Sequence, residues 1–225
     1  MPDAKAPQFD AAADFSHERN PNGPWSYGSA SRPGEFLLFP QRKTDAMVRR
    51  WGPSREVVFP DVHRNLAGKV VFRDGALMPG DSLILRPGHQ LLHPTTYSVV
   101  RFTAPSHGAY RFRGQFEAVS LDYGGTTQVI LHGARKLAEN TFINAHGQIW
   151  EFDLRQDLRP DECVDFLVGN SPNGDNSNDS TGLIVKVEWR ARLSPLWPTG
   201  LAGAAMAGLV AWRVRRRRAF IARPA

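Results

Sequence analysis

Residues 110–116 read Tyr-Arg-Phe-Arg-Gly-Gln-Phe, and residues 183–190 read Leu-Ile-Val-Lys-Val-Glu-Trp-Arg. In the first stretch Tyr110, Phe112 and Phe116 alternate with polar side chains, and the second stretch carries a similar alternation. A period of two is typical of a β-strand that turns one face to a core and the other to water. Each stretch therefore predicts a long, half-buried strand.

Shorter apolar segments flank these two strands at spacings of roughly ten to fifteen residues. They are Val57–Phe59, Val70–Phe72, Ser82–Leu85, Ser98–Thr103, Thr126–Leu131, Trp150–Leu154 and Val164–Val168. Turn dipeptides such as Asp74-Gly75 and Gly124-Gly125 separate them, and no stretch before residue 196 keeps a helical apolar stripe for three turns. The pattern predicts an all-β chain built as an antiparallel β-sandwich, jelly-roll-like in topology.

The distribution of these segments predicts four regions. Residues 1–55, rich in turn residues, are expected to form a loop-rich lead-in packed on the sandwich. Residues 56–192 are expected to form the β-sandwich itself. Residues 196–212 are expected to form a single C-terminal transmembrane helix, and residues 213–225 an arginine-rich tail.

Charge and cysteine content exclude several classes of protein. The net charge of +6 comes wholly from residues 213–225, which contain six arginines and no acidic residue. The rest of the chain has no basic excess, which argues against a nucleic-acid partner, since phosphate neutralisation supplies most of that affinity. The single cysteine, Cys163, excludes an intramolecular disulfide and a cysteine-based zinc site.

The C-terminal segment Leu196–Trp212 is apolar and contains no charge over 17 residues. That length is the lower limit for a helix crossing a hydrocarbon core of roughly 30 Å. Aromatic residues at both ends and an arginine cluster behind it suit the two membrane interfaces. The predicted anchor residues are Trp197, Trp212, Arg213, Arg215, Arg216, Arg217 and Arg218. The alternative is a buried helix that ends in a solvated arginine run.

The predicted location is the cell envelope, with the membrane as a partner. Because positive charge stays on the cytoplasmic side, we expect the arginine tail inside and the sandwich outside. Residues 1–15 lack the apolar core of a signal peptide. We therefore expect a leader upstream of Met1; the alternative is tail-first insertion with the sandwich inside.

Several distinct short motifs lie along residues 9–190. The opening contains Phe9-Asp10, Asp14-Phe15-Ser16 and Asn20-Pro21-Asn22-Gly23-Pro24-Trp25-Ser26-Tyr27-Gly28. Later landmarks are Trp51-Gly52-Pro53, Arg86-Pro87-Gly88, residues 98–105 (SVVRFTAP) and residues 164–169 (VDFLVG). Together they resemble a group of bacterial exported jelly-roll-like proteins whose opening reads DFS…NPNGxWSYG.

Many proteins of that group end in a PEP-CTERM sorting tail, which consists of a Pro-Glu-Pro signature, a short apolar helix and an arginine cluster. The tail here has the helix and the arginines, but residues 194–198 (SPLWP) lack Pro-Glu-Pro. The resemblance implies export, anchoring and a role in or near exopolysaccharide. Cleavage near Pro195 by a sorting peptidase remains an alternative to simple anchoring.

Two sets of residues are candidates for ligand binding. Trp25, Tyr27 and Trp51 lie among turn residues, where exposed aromatic rings could stack on sugars; the alternative is that they plug the core. In the polar segment 170–182, Asp175, Ser177 and Asp179 alternate as oxygen ligands do in calcium loops. The alternative there is a polar loop rich in Asx turns, and no other cofactor is predicted.

Enzyme motifs are absent from the sequence, including the nucleophile elbow, the zinc-binding helix and the phosphate-binding loop. The carboxylates Glu117, Asp122, Glu151 and Asp153 fit surface strand positions better than an acid–base pair. We therefore expect a non-enzymatic exported module that binds glycan or matrix polymer. The alternatives are a structural, self-associating envelope protein and a hydrolase acting on polysaccharide.

Overall fold

A computed structural model describes residues 8–45, 47–54, 59–88, 97–170 and 178–191. These residues form β-strands, turns and loops, and none of them is helical. Within them no helix has the length and hydropathy needed to cross a membrane. The predicted anchor, including Trp197, Trp212 and the arginine cluster, lies outside the described residues.

The described residues contain sixteen strands. The first eight are β1 (Gln8–Asp10), β2 (Trp25–Ala30), β3 (Leu37–Leu38), β4 (Gln41–Asp45), β5 (Val48–Gly52), β6 (Asp61–Asn65), β7 (Val71–Arg73) and β8 (Ala76–Met78). The last eight are β9 (Leu83–Arg86), β10 (Tyr97–Thr103), β11 (Gly108–Ala118), β12 (Thr126–His132), β13 (Arg135–Ile143), β14 (Ile149–Leu158), β15 (Cys163–Asn170) and β16 (Thr181–Ala191).

The strands form two main sheets and a separate hairpin. The large sheet has the order β14-β11-β16-β9-β6-β5-β4, and β1 also pairs with β16. The small sheet has the order β13-β12-β15-β10-β2-β3, and β7 pairs only with β8. All pairs between named strands are antiparallel. The prediction of an all-β antiparallel sandwich is confirmed.

The two stretches that predicted the fold are neighbours at the centre of the large sheet. Phe112 of β11 lies opposite Val187 of β16, and both side chains are fully buried. Phe112 also contacts Phe102 and Phe166 of the small sheet, with ring centroids 5.4 Å and 6.1 Å apart. Arg111 points to the other side of β11, so the predicted phase of this strand is confirmed.

Residues 8–54 do not form the expected loop-rich lead-in. They supply five strands, and β2 lies between β10 and β3 in the small sheet. The boundary expected at residue 55 is therefore wrong. All six residues of β2 are buried, so this strand shows none of the alternation that marked the others.

Hairpin β7–β8 covers part of the outward face of the large sheet. Ala76 and Met78 of the hairpin form a small apolar cluster with Val48, Ile84 and Val119. The turn residues Asp74 and Gly75 both have positive φ, +48° and +75°, as the tight turns of two-residue hairpins require. The hairpin holds its turn above strands β5, β6 and β9, where the candidate site lies.

Candidate binding site

The aromatic residues predicted to bind a ligand lie in the core. Trp25 and Tyr27 belong to β2 and have no exposed surface, and Trp51 belongs to β5 and is 6% exposed. The Trp25 ring meets Phe102 edge-on at 5.1 Å between centroids. Their expected placement in exposed loops is wrong, and the alternative of core packing agrees with the structure. A buried ring presents no face to a sugar.

The opening motif has a structural explanation in its hydrogen bonds. Trp25 Nε1 donates to Asp14 Oδ2 at 3.1 Å, and Trp51 Nε1 donates to the Ser16 carbonyl at 2.8 Å. Asn20 Nδ2 donates to the β2 carbonyl of residue 27 at 2.8 Å. Each of these buried polar groups would cost free energy if it were unpaired. The motif therefore fastens residues 8–24 to the sandwich.

The candidate calcium ligands are not brought together in the described residues. Asp175 and Ser177 lie outside the described part of the chain, and Asp179 is 2% exposed beside β16. Among the described residues there is no group of three His, Cys, Asp or Glu side chains that could hold a metal ion. Calcium binding at this loop stays a prediction.

A different group of polar side chains converges on the outward face of the large sheet. Lys43 of β4 lies opposite Arg50 of β5, and Arg50 lies opposite His63 of β6. Asp61, two residues before His63, lies opposite Arg86 of β9. Directly opposed residues share a face of a sheet. The register therefore places five ionisable side chains side by side.

Hairpin β7–β8 lies over this row of side chains, and the two together enclose a cavity of about 140 Å³. Arg73 and Asp74 of the hairpin form one wall, and Val48 adds an apolar patch. The lining residues are Lys43, Val48, Arg50, His63, Arg73, Asp74 and Arg86. The described structure thus contains a concave site lined by ionisable groups and one apolar side chain.

Asp61 and Arg86 form a bidentate ion pair beneath this cavity. Arg86 Nε donates to Asp61 Oδ1 at 2.9 Å, and Arg86 Nη2 donates to Oδ2 at 2.7 Å. Burial alone would raise the pKa of Asp61, but the Arg86 guanidinium beside it keeps that pKa well below its ordinary value. The carboxylate therefore stays ionised. The Arg86 guanidinium also lies 4.5 Å from the centre of the Phe59 ring.

His63 is fully enclosed next to this pair. Its Nε2 lies 2.8 Å from Asp61 Oδ2 and 2.9 Å from Arg86 Nη2, so Nε2 donates to the carboxylate in one tautomer and accepts from the guanidinium in the other. Burial lowers the pKa of His63, and Arg86 and Arg50 lower it further against the opposing effect of Asp61. The imidazole is therefore neutral at pH 7.

Two buried polar atoms at the cavity lack hydrogen-bond partners within the described chain. One is His63 Nδ1, and the other is Nη2 of Arg50, whose Nη1 donates to Asp61 at 3.2 Å. Arg50 is 9% exposed. Because buried polar groups are nearly always paired, both atoms are available to a bound molecule.

None of these residues was singled out from the sequence as a ligand site. Asp61, His63 and Asn65 alternate with Val62 and Arg64, so the segment resembles an exposed polar face. The available signal was Arg86 next to Pro87-Gly88, an arginine at the end of an otherwise apolar segment. Its partner Asp61 lies 25 positions away and cannot be found without the register.

Comparisons with known proteins identify no family for this chain and find only weak similarity to solved structures. No protein-family model and no curated protein match the chain. Among solved structures, CBM51-2 in complex with GlcNAc with the INT domains of Clostridium perfringens ZmpB is 11% identical over 68% of this chain, with a TM-score of 0.38. This chain spans 30% of the length of that structure.

Two further solved structures are carbohydrate-binding modules. CBM51 from Clostridium perfringens GH95 in complex with methyl-galactose is 6% identical, covering 72% of this chain and 99% of its own, with a TM-score of 0.38. A family 35 module from Clostridium thermocellum is 12% identical, covering 40% of this chain and 69% of its own, with a TM-score of 0.27. Scores this low carry no functional assignment.

Proposed function

We propose that the chain is a non-enzymatic β-sandwich module that binds a polysaccharide of the cell envelope or matrix. The observation that supports it is the cavity between the outward face of the large sheet and hairpin β7–β8. Strands β9 to β16 are distributed between the two sheets in the order of an eight-stranded jelly roll. Lectin domains use this architecture. Function has to be argued from the site rather than from that architecture.

The cavity suits a sugar because it presents donors and acceptors at fixed positions. Arg50 Nη2 is a donor, and His63 Nδ1 donates or accepts according to the tautomer of the ring; both are buried and unpaired within the described chain. Sugar hydroxyls donate and accept at once, so one ring can satisfy both atoms. Val48 supplies an apolar surface on the same cavity for the C–H face of a ring.

The same residues favour polysaccharide binding over hydrolysis. Asp61 is held ionised by Arg86 and is no proton donor, and no nucleophile is hydrogen-bonded to His63 Nδ1 among the described residues. Asp153, one of the surface carboxylates, accepts from Arg111 Nε at 2.8 Å. That hydrogen bond lowers the pKa of Asp153, which disfavours it as a general acid.

The proposed location is outside the membrane, with the C-terminal segment as an anchor. Support comes from the sequence: the uncharged segment Leu196–Trp212 followed by arginines, and the resemblance to exported proteins. The opening motif that carries the resemblance belongs to the folded sandwich, since Asp14, Ser16 and Asn20 hold it there.

Affinity gel electrophoresis of the full-length chain in a neutral detergent tests the binding role. The gels contain neutral or acidic bacterial polysaccharides. We expect at least one polymer to retard the chain and Arg73→Glu, on the cavity wall, to abolish the retardation. The control Lys186→Glu makes the same charge reversal on an exposed residue of β16. If no polymer retards the chain, binding fails and gel filtration should show the self-association of a structural protein.

A further inference from the structure

We propose that the group selected by the cavity is a carboxylate carried by the polysaccharide, as in a uronic acid residue. This inference rests on the proposed function and adds the chemical class of the ligand. It stands on three observations: the charge balance of the cavity, the unpaired Nη2 of Arg50, and the size of the space.

The cavity has more positive than negative groups. Among the described residues of the cavity, Lys43, Arg50, Arg73 and Arg86 carry four positive charges, and Asp61 and Asp74 carry two negative charges. The histidine between them adds no charge, because burial keeps it neutral. Cations held close together repel one another, so an added anion is stabilised here and an added cation is not.

The two buried arginines, Arg86 and Arg50, differ in how completely their guanidinium groups are paired. Arg86 places Nε and Nη2 on Asp61 and Nη1 on Asp74, at 3.3 Å. Arg50 places only Nη1 on Asp61, and its Nη2 has no partner among the described residues. Arg86 and Asp61 therefore hold Arg50 in position, and Arg50 is the residue that contacts the ligand.

A carboxylate fits this arrangement better than a neutral group. A guanidinium binds it with a charge-assisted hydrogen bond, about twice as strong as a neutral one. Lys43 lies directly across from Arg50 in the neighbouring strand, so one anion can contact both. Two cations from adjacent strands then share one ligand charge.

The size of the cavity limits how much of the ligand enters. Its volume of about 140 Å³ is close to the roughly 150 Å³ cavity that takes up a benzene molecule. One carboxylate and part of its ring fill such a space. The rest of the polymer has to lie across the mouth, beside the hairpin turn.

The experiment measures binding of the full-length chain, in neutral detergent, by isothermal titration calorimetry. The probes are polygalacturonate, the same polymer with its carboxyl groups reduced to alcohols, and dextran sulfate with unmodified dextran. We expect polygalacturonate to bind and its reduced form to bind at least tenfold more weakly. Dextran sulfate is expected to bind more weakly than polygalacturonate.

Two variants locate the contact. Lys43→Gln is expected to weaken polygalacturonate binding at least fivefold, whereas Lys136→Gln, on the small sheet and paired with Glu139, should leave it within twofold. Arg50→Lys keeps the charge but loses the planar donor group, and we expect at least a fivefold loss. Thermal unfolding of each variant checks that the loss is not due to unfolding.

The outcomes separate this inference from the proposed function. Equal binding of polygalacturonate and its reduced form overturns the carboxylate assignment and leaves polysaccharide binding standing. Tighter binding of dextran sulfate than of polygalacturonate also overturns it, in favour of a sulfate site. Unchanged affinity in both Lys43→Gln and Arg50→Lys removes the site from this cavity. No binding of any neutral or acidic polymer contradicts both proposals.

Discussion

At the scale of single residues, Asp61 determines the chemistry of the cavity. It is fully buried and accepts hydrogen bonds from Arg86 and Arg50. Removing one partner of a buried ion pair leaves an uncompensated charge, which is far more costly than losing an exposed pair. Asp61 is therefore a structural residue that keeps two guanidinium groups in place for a ligand.

Replacing Asp61 with Asn should destabilise the fold by about 3–5 kcal/mol, because Arg86 and Arg50 lose their shared counter-charge. Urea unfolding followed by tryptophan fluorescence measures the change. The matched control is Asp153→Asn, which breaks a bidentate pair with Arg111 at the surface and should cost far less. Similar losses in the two variants would show that the Asp61 cluster is not buried.

His63 predicts a dependence of stability on pH. Burial and the neighbouring arginines lower its pKa below the unfolded value of 6.5. The unfolded chain therefore binds this proton first, and stability is lost as pH falls through about 6.5, with a slope of up to about 1.4 kcal/mol per pH unit. Above that pH the contribution is constant.

The measurement compares unfolding free energies of the parent chain and His63→Gln between pH 5 and pH 8. His17 also has a lowered pKa, through burial and Arg49, and so contributes to both profiles. The difference between the profiles isolates His63, and it should grow below about pH 6.5. Parallel profiles would mean that His63 is accessible to protons in the folded state.

At the scale of the strand, the sandwich core depends on the phase of β11 and β15. Phe112→Ala and Phe166→Ala should each cost about 3–5 kcal/mol, because both rings are fully buried and in contact with each other. Arg111→Ala, on the opposite face of β11, should cost little, because an exposed ion pair contributes little to stability. Chemical unfolding of the three variants is the test. Equal losses of unfolding free energy at residues 111 and 112 would show that the face of β11 assigned to the core is wrong.

The same contrast explains which strands could be predicted from sequence. β11 and β16 have one face in the core and one in water, so apolar and polar residues alternate along them. β2 is buried on both faces and contains Gly28, where a Cβ would lie 2.5 Å from the Leu37 carbonyl oxygen. Its sequence therefore resembles a turn. In β6 the polar face is covered by the hairpin, so its pattern indicates an exposed strand.

At the scale of the whole molecule, the cavity is assembled from segments that are distant in sequence. Lys43, Arg50, His63, Arg73 and Arg86 come from five different strands. Their meeting depends on the register of β4, β5, β6 and β9 and on where the hairpin folds back. None of this register is encoded in local spacing. The sequence pattern therefore favoured Trp25, Tyr27 and Trp51 as ligand-binding residues instead. Local sequence patterns identify individual strands. A site that forms when those strands pair can be located only once their register is known from the structure.

The whole chain is expected to attach to a membrane through its C-terminal segment. Leu196–Trp212 has 17 uncharged residues, about 26 Å as a helix, which is close to the thickness of a hydrocarbon core. The full-length chain should therefore sediment with membranes and stay there through a wash in 1 M salt (roughly a 3 Å screening length). A chain ending at Ala191 should remain in the supernatant. The arginines alone could bind anionic lipids only electrostatically. Release of the full-length chain by salt would therefore show that no helix is inserted and that the tail acts as a surface-binding cation cluster.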